Sequence, residues 1–317
     1  MKKRRNNVLT IIMIAGTLIA IATFFYIWNY EPGIDPDSGK EKGEKTRTKE
    51  DTAKGRTARP HASYKEKQAV GRNKIGKPSH DSQGIAVIID DIGGDLESLE
   101  ELLAIPAPIS FAVLPHLAHS VEAAILIHKA GRDVLLHLPM EPHHYPQANP
   151  GEGALFVRMS REEIRRQVDA DIEAVPYICG VNNHMGSLFM ENESKLAVVF
   201  EQLKKSGLFF VDSKTTPSNK AEELAAQMDI PFAQRSGFID NDNNYPSSLE
   251  RIFEAAEAAQ TGTGENIVII GHPYADTIKA LKKAVPLMKA RGVDVVPISK
   301  LVRGQEAGSG GQGSGSR

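Results

Sequence analysis

A chain of 317 residues with 38 Lys and Arg against 40 Asp and Glu has a formal charge of −2, so no surplus of positive charge argues for nucleic acid as a partner. Its one cysteine, Cys179, excludes both a disulfide framework and a thiolate cluster, so any bound metal must be held by His, Asp or Glu. The length exceeds one average domain, yet a single α/β barrel fills roughly 200–250 residues and leaves room for appendages.

Residues 1–7 form a short basic N-terminus containing Lys2, Lys3, Arg4 and Arg5. Residues 8–28 then give 21 positions without a charge. A helix of that length rises about 31 Å, against roughly 30 Å for the hydrocarbon core of a bilayer. The run ends in Phe24, Phe25, Tyr26 and Trp28 instead of a small-residue cleavage site, which predicts a transmembrane signal anchor with an interfacial aromatic belt. The basic flank keeps the N-terminus cytoplasmic and sends the remainder outside. The expected location is the cell membrane, crossed once, with the C-terminal domain on the periplasmic or cell-wall side. Residues 29–83 are rich in Lys, Glu, Thr, Gly, Ser and Pro and read as a disordered linker, because they lack the apolar surface to offset ordering entropy. Residues 304–317 read as a flexible Gly/Ser tail.

Between these lies one domain, residues 84–303. Its apolar runs begin with IAVIID (85–90), ISFAVL (109–114) and DVLLHL (133–138). They continue with CGVNNH, LFFVDS, PFAQRS, NIVIIG and DVVPIS, starting at Cys179, Leu208, Pro231, Asn266 and Asp294. Helical patterns at 161–175, 193–207 and 248–260 separate several of these runs. Strands alternating with helices mean βαβ units and a parallel sheet, and the length favours a closed or partly closed barrel over a doubly wound sheet.

In such folds chemistry collects at the carboxyl ends of the strands. The first run delivers Asp90 and Asp91, the third His137 and then Glu141, the fourth Asn182, Asn183 and His184, the fifth Asp212, and the seventh His272. Histidines on three strand ends, with acids on two more, form a donor set suited to zinc or a similar divalent ion with open positions for water and substrate. Arg235 and Asp240 fall in a polar segment that ends the sixth run and reads as a turn; with Asn183 they are candidate substrate contacts. His116, His119, His128, His143 and His144 read as surface or helix-face residues, and Cys179 as a small buried residue.

The order of these motifs resembles the polysaccharide deacetylase superfamily of NodB type, and within it the divergent, YibQ-like branch, over residues 84–302. The resemblance implies a distorted parallel (β/α) barrel of seven or eight strands. It assigns Asp90 as the base and Asp91 as a metal ligand. The family's His-x-x-x-His motif is matched by His137-x-x-x-Glu141, which implies His137 as a ligand with a carboxylate in place of the second imidazole. The usual Arg-x-Pro-x-Gly segment is replaced by Asn182-Asn183-His184-Met185-Gly186, so His184 is the expected substitute ligand. Asp212 matches a supporting aspartate, without its accompanying tryptophan, and His272 matches the late histidine that acts as general acid. The implied cofactor is a divalent metal, zinc first, and the implied activity is removal of acetyl groups from an envelope glycan or cell-wall polymer. The alternatives are a catalytically inactive glycan-binding or envelope scaffold protein on the same fold, and a hydrolase of another ester or amide.

Overall fold

The computed structural model describes residues 84–218, 220–261 and 266–302. The membrane helix expected at 8–28, the linker at 29–83 and the tail at 304–317 lie outside the described residues. Among those described, no helix is long and apolar enough to cross a membrane.

The strands are β1 (Gly84–Ile92), β2 (Ser110–Val113), β3 (Val134–Met140), β4 (Ile178–Met185), β5 (Phe209–Asp212), β6 (Phe232–Gln234), β7 (Gly237–Phe238), β8 (Ile267–Gly271) and β9 (Asp294–Val295). They alternate with helices α1 (Glu97–Leu103), α2 (Ser120–Lys129), α3 (Arg161–Ala174), α4 (Glu193–Ser206), α5 (Ala221–Met228), α6 (Tyr245–Thr261) and α7 (Ala275–Ala290). Every ladder among these strands is parallel, as helical crossovers require. The sheet order is β6-β5-β4-β3-β2-β1-β8-β7, with β9 pairing β1. The two edge strands, β6 and β7, are consecutive in the chain and only Arg235 and Ser236 lie between them. One extended segment therefore passes from one edge to the other, and the sheet is a curled, parallel half-barrel with a seam there.

The eight runs read from the sequence become nine strands. The sixth run gives β6, which pairs with β5, and the additional strand is β7, which lies in the polar segment read as a turn and pairs with β8. The eighth keeps only Asp294–Val295 as strand. Pro297, which has no N–H to give a ladder, then leads into a 3₁₀ turn at Ile298–Lys300.

Side chains alternate between two apolar environments along each strand. Ile85, Val87 and Ile89 of β1 pack outward beneath the helices, with Leu136 of β3 and Phe210 of β5. Ala86, Ile88, Ala112, Leu135, Phe209, Val211, Val268 and Ile270 face the concave side, where Ile298 and Val302 join them. This inner cluster fills the bottom of the curl and forms the floor on which the polar strand ends stand. Gly180 of β4 is required there: a Cβ at that position would lie 2.2 Å from the ring of Phe209. The helices are stopped and started locally. Ser160 and Glu163 form a reciprocal capping box on α3, Asn192 caps Lys195 N on α4, and Gly207 ends α4 at φ 70°.

Candidate active site

Neighbouring residues in a regular strand point to opposite faces, so Asp90 and Asp91 need a device to reach one site. The device is a bulge: Ile89 pairs with Phe111 and Ile92 with Val113, so Asp90 and Asp91 together oppose Ala112 alone. Asp91 takes the left-handed conformation, φ 59°, that this bend demands. Its carboxylate turns toward β3 and β4, where the parallel register sets His137 beside Asn182 and Pro139 beside His184.

Three donor atoms meet there. Asp91 Oδ1 is 3.1 Å from His137 Nε2 and 3.0 Å from His184 Nδ1, and the two nitrogens are 3.1 Å apart. A four-coordinate zinc with bonds of about 2.0–2.1 Å spaces its ligand atoms roughly 3.3 Å apart, so this triangle matches such an ion closely. Asp91 Oδ1 is moreover buried without a well-aligned hydrogen bond, the condition of an acceptor aimed at a cation. Burial opposes ionisation of Asp91, but the two imidazoles beside it prevail and hold its carboxyl well below the usual carboxylate range. Among the described residues these three are the one cluster of His, Cys, Asp and Glu with metal-ligand spacing. Side-chain exposures of 32% at Asp91 and 16% at His184, against 2% at His137, leave one side of the triangle open to solvent and substrate.

Behind the triangle the inward positions continue the same polar layer. Asp90 is buried; its Oδ2 is 3.6 Å from His137 Nε2 and its Oδ1 accepts from Asn182 Nδ2 at 2.8 Å. Burial raises its pKa above the ordinary carboxylate value, against the opposing pull of His137, His272 and Asn182. In His137, burial alone would favour the neutral ring, but Asp90 and Asp91 reverse that and push the imidazole up to about 9.

His272 follows the Ile89–Gly271 pair of β1 and β8. Its Nε2 is 4.0 Å from Asp91 Oδ2, and its Nδ1 donates to Asp240 Oδ1 at 3.0 Å. Burial favours the neutral form of His272, but the Asp240 hydrogen bond together with the charges of Asp240, Asp90 and Asp91 outweighs it and raises the pKa. Tyr274, exposed at the rim, stacks on His272 at 5.4 Å.

Of the residues singled out from the sequence, Asp90, Asp91, His137, His184 and His272 are brought together. Glu141 is not among the three clustered donors: its Oε2 accepts from Val157 N at 2.6 Å and anchors the loop after β3. Asp212 is buried at the end of β5, with Oδ1 accepting from Lys214 N. The three expected substrate contacts each have partners within the chain. Asn183 Oδ1 accepts from Ser213 N while its Nδ2 donates to Met185 O and Thr215 Oγ1, so it ties the ends of β4 and β5 together. Arg235 donates to Ser213 O and Lys214 O and lies 3.7 Å above the Phe238 ring, which fastens the seam. Asp240 is buried and orients His272.

Two polar residues carry more than the sequence reading gave them. Asn182 is fully buried between Asp90 and His137, and the signal for it was its position two residues before His184, on the same strand face. His116, read as a surface residue, pairs through Nε2 with the buried Asp171 at 2.8 Å. Nothing local to either residue announces that contact across 55 positions.

The divergent polysaccharide deacetylase family model matches residues 87–302. The Escherichia coli K12 protein YibQ is 32% identical over 201 residues, covering 63% of this chain and 62% of its own length. A Haemophilus influenzae protein is 30% identical over 198 residues, covering 62% of this chain and 69% of its own. The chain thus spans a little under two thirds of YibQ. The crystal structure of the uncharacterized protein ATU2773 from Agrobacterium tumefaciens C58 superposes with a TM-score of 0.66 at 19% identity, over 72% of this chain and 93% of that one. At that identity the likeness concerns the fold. The family model spans the curled sheet except for the first three residues of β1, and every residue of the clustered site, and on that match the chain belongs to the divergent polysaccharide deacetylase family.

Proposed function

We propose that this chain is a membrane-anchored, metal-dependent hydrolase that removes acetyl groups from an envelope glycan outside the cytoplasmic membrane. The observation that carries the reading is the convergence of Asp90, Asp91, His137, His184 and His272 from four strand ends on one partly open hollow. Asp91, His137 and His184 are the residues that would hold the divalent ion, and zinc suits their two nitrogens and one oxygen. When bound, such an ion supplies Lewis-acid polarisation of an acyl carbonyl and a water acidic near neutral pH.

The remaining chemistry belongs to side chains. Asp90, its pKa raised by burial, takes the proton of the attacking water as general base. His272 presents Nε2–H toward the hollow while Asp240 stabilises its imidazolium, so it donates a proton to the departing amine or alcohol. Water and the acetylated sugar give acetate and the freed sugar, and Asp90 and His272 exchange protons with solvent between turnovers. The extracytoplasmic placement is supported by the basic start and the uncharged run of residues 8–28.

The test is metal content and acetate release by the purified full-length chain, wild type beside His184→Ala. Near-stoichiometric zinc, lost in the variant, together with acetate release from N-acetylglucosamine oligomers, is the expected result. A wild-type chain that stays metal-free after zinc is supplied, but retains oligomer binding, would replace catalysis with the scaffold reading. Release of acetate from acetyl esters but never from acetamides would narrow the activity to esterase.

A further inference from the structure

We infer that Asn182 is the positioning residue of this centre: its one buried amide reads the Asp90 carboxylate on one side and fixes a hydrogen on His137 Nδ1 on the other, so that the neutral ring turns its lone pair at Nε2 toward the metal position. The inference rests on the metal-centre reading above and deepens it.

The amide's orientation follows from its partners. An ionised Asp90 only accepts, so the Asn182 atom 2.8 Å from Asp90 Oδ1 is the donor Nδ2. The other end is then the acceptor Oδ1, 2.8 Å from His137 Nδ1, and that nitrogen must carry a hydrogen. A neutral imidazole with its hydrogen on Nδ1 has its lone pair on Nε2, which is the atom that faces Asp91 Oδ1 and His184 Nδ1. The second hydrogen of Nδ2 points to Ser213 Oγ at 3.4 Å. All of these contacts are side chains of the polar layer, and Asn182 is 0% exposed, so water cannot substitute for any of them.

The strand register makes this placement rigid. His137 and Asn182 are direct partners in the β3–β4 ladder, and both face the concave side, so their side chains stand next to each other on adjacent parallel strands. His184, two residues further along the same face of β4, completes the triangle. Hydrogen-bonded partners of ligating histidines fix tautomer and ring angle, and their loss typically weakens metal binding by about 10- to 100-fold.

The experiment measures zinc affinity of the full-length chain by competition with a chromophoric chelator, for wild type, Asn182→Leu and Asn182→Asp. Circular dichroism of each metal-free protein reports folding. Asn182→Leu keeps much of the volume but offers nothing to His137 Nδ1, and its zinc Kd should rise by about 10- to 100-fold. Asn182→Asp keeps an acceptor for His137 Nδ1 and should stay within a few-fold of wild type. Imidazole ¹H–¹⁵N correlation spectra of the zinc-loaded proteins should show His137 as the Nδ1–H tautomer in wild type and Asn182→Asp.

Wild-type affinity in a folded Asn182→Leu overturns the inference and leaves the metal centre intact. Should Asn182→Leu fail to fold, a 10-fold or greater loss in Asn182→Asp overturns it as well, because the retained acceptor would not have preserved binding. A wild-type chain that binds no zinc overturns the metal-centre reading itself, so the two failures are distinguishable.

Discussion

Asp240 accepts from His272 N at 2.6 Å, from His272 Nδ1 at 3.0 Å and from Thr277 Oγ1 at 2.8 Å, and it is 6% exposed. A carboxylate fixed that firmly holds the ring behind it in one tautomer and favours the imidazolium. Because His272 must be protonated to act as an acid, activity should fall as pH rises through its elevated pKa. Asp240→Asn removes the largest of the charges that raise it, so the alkaline limb of the kcat–pH profile should move to lower pH, and kcat should drop by about 10²-fold or more. An unmoved alkaline limb would detach His272 from that step. The sequence placed Asp240 in a turn because Asp and Asn cluster at 240–244, and locally that is sound. Its role depends on β7 lying beside β8, with Phe238 opposite Ile270, so that continuing the same register brings residue 240 to residue 272. That pairing is long-range and leaves no mark in the spacing. By contrast Asp90, Asp91, His137, His184 and His272 were legible because each ends an apolar run, and in parallel α/β sheets all such ends share one rim.

At the scale of elements, the strands were legible because both of their sides are apolar, outward to the helices and inward to the floor, so each reads as a short continuous apolar run. What did not show was β7: Gly237 and Phe238 fall in the polar segment that reads as a turn, yet they pair with β8 at the opposite edge from β6. The inward floor also explains a residue that no pattern recommends. Gly180 lies in the strand with the most chemistry, and strand interiors disfavour glycine, yet the Phe209 ring occupies the space a Cβ would need. Phe209 is 4% exposed and packed with Leu135, Val211 and Ala233, so it has little room to retreat. Gly180→Ala should therefore destabilise the domain by about 1–3 kcal/mol through overpacking, read as a lower urea midpoint at unchanged m-value. The displacement would also be felt two residues along the same face at Asn182. Wild-type stability in that variant would mean that Phe209 moves freely and that the floor beneath the site is soft.

For the molecule as a whole, the centre links stability, metal and pH through one proton. In the metal-free protein His137 is raised to about 9, whereas in the unfolded chain a histidine titrates near 6.5. Between those values the native state binds the additional proton, so its stabilisation is fully present below about pH 6.5 and is lost as pH rises toward 9. Over that window the metal-free protein should lose up to about 1.4 kcal/mol per pH unit from this group. Zinc reverses the dependence, since a ligating imidazole must be unprotonated and each ion bound below pH 9 displaces the His137 proton. Zinc affinity should consequently rise with pH, by up to about tenfold per unit, and the stabilisation it confers should rise with it. Thermal melts of the full-length chain with saturating zinc and with chelator, taken at steps from pH 6.5 to 9, should show the two melting temperatures diverging. A constant gap would place the displaced proton elsewhere than on His137. If the gap widens in the wild type and stays narrow and flat in Asp91→Asn, ion and proton compete at the triangle formed by β1, β3 and β4, the one place in the described fold where donor atoms are spaced for a metal.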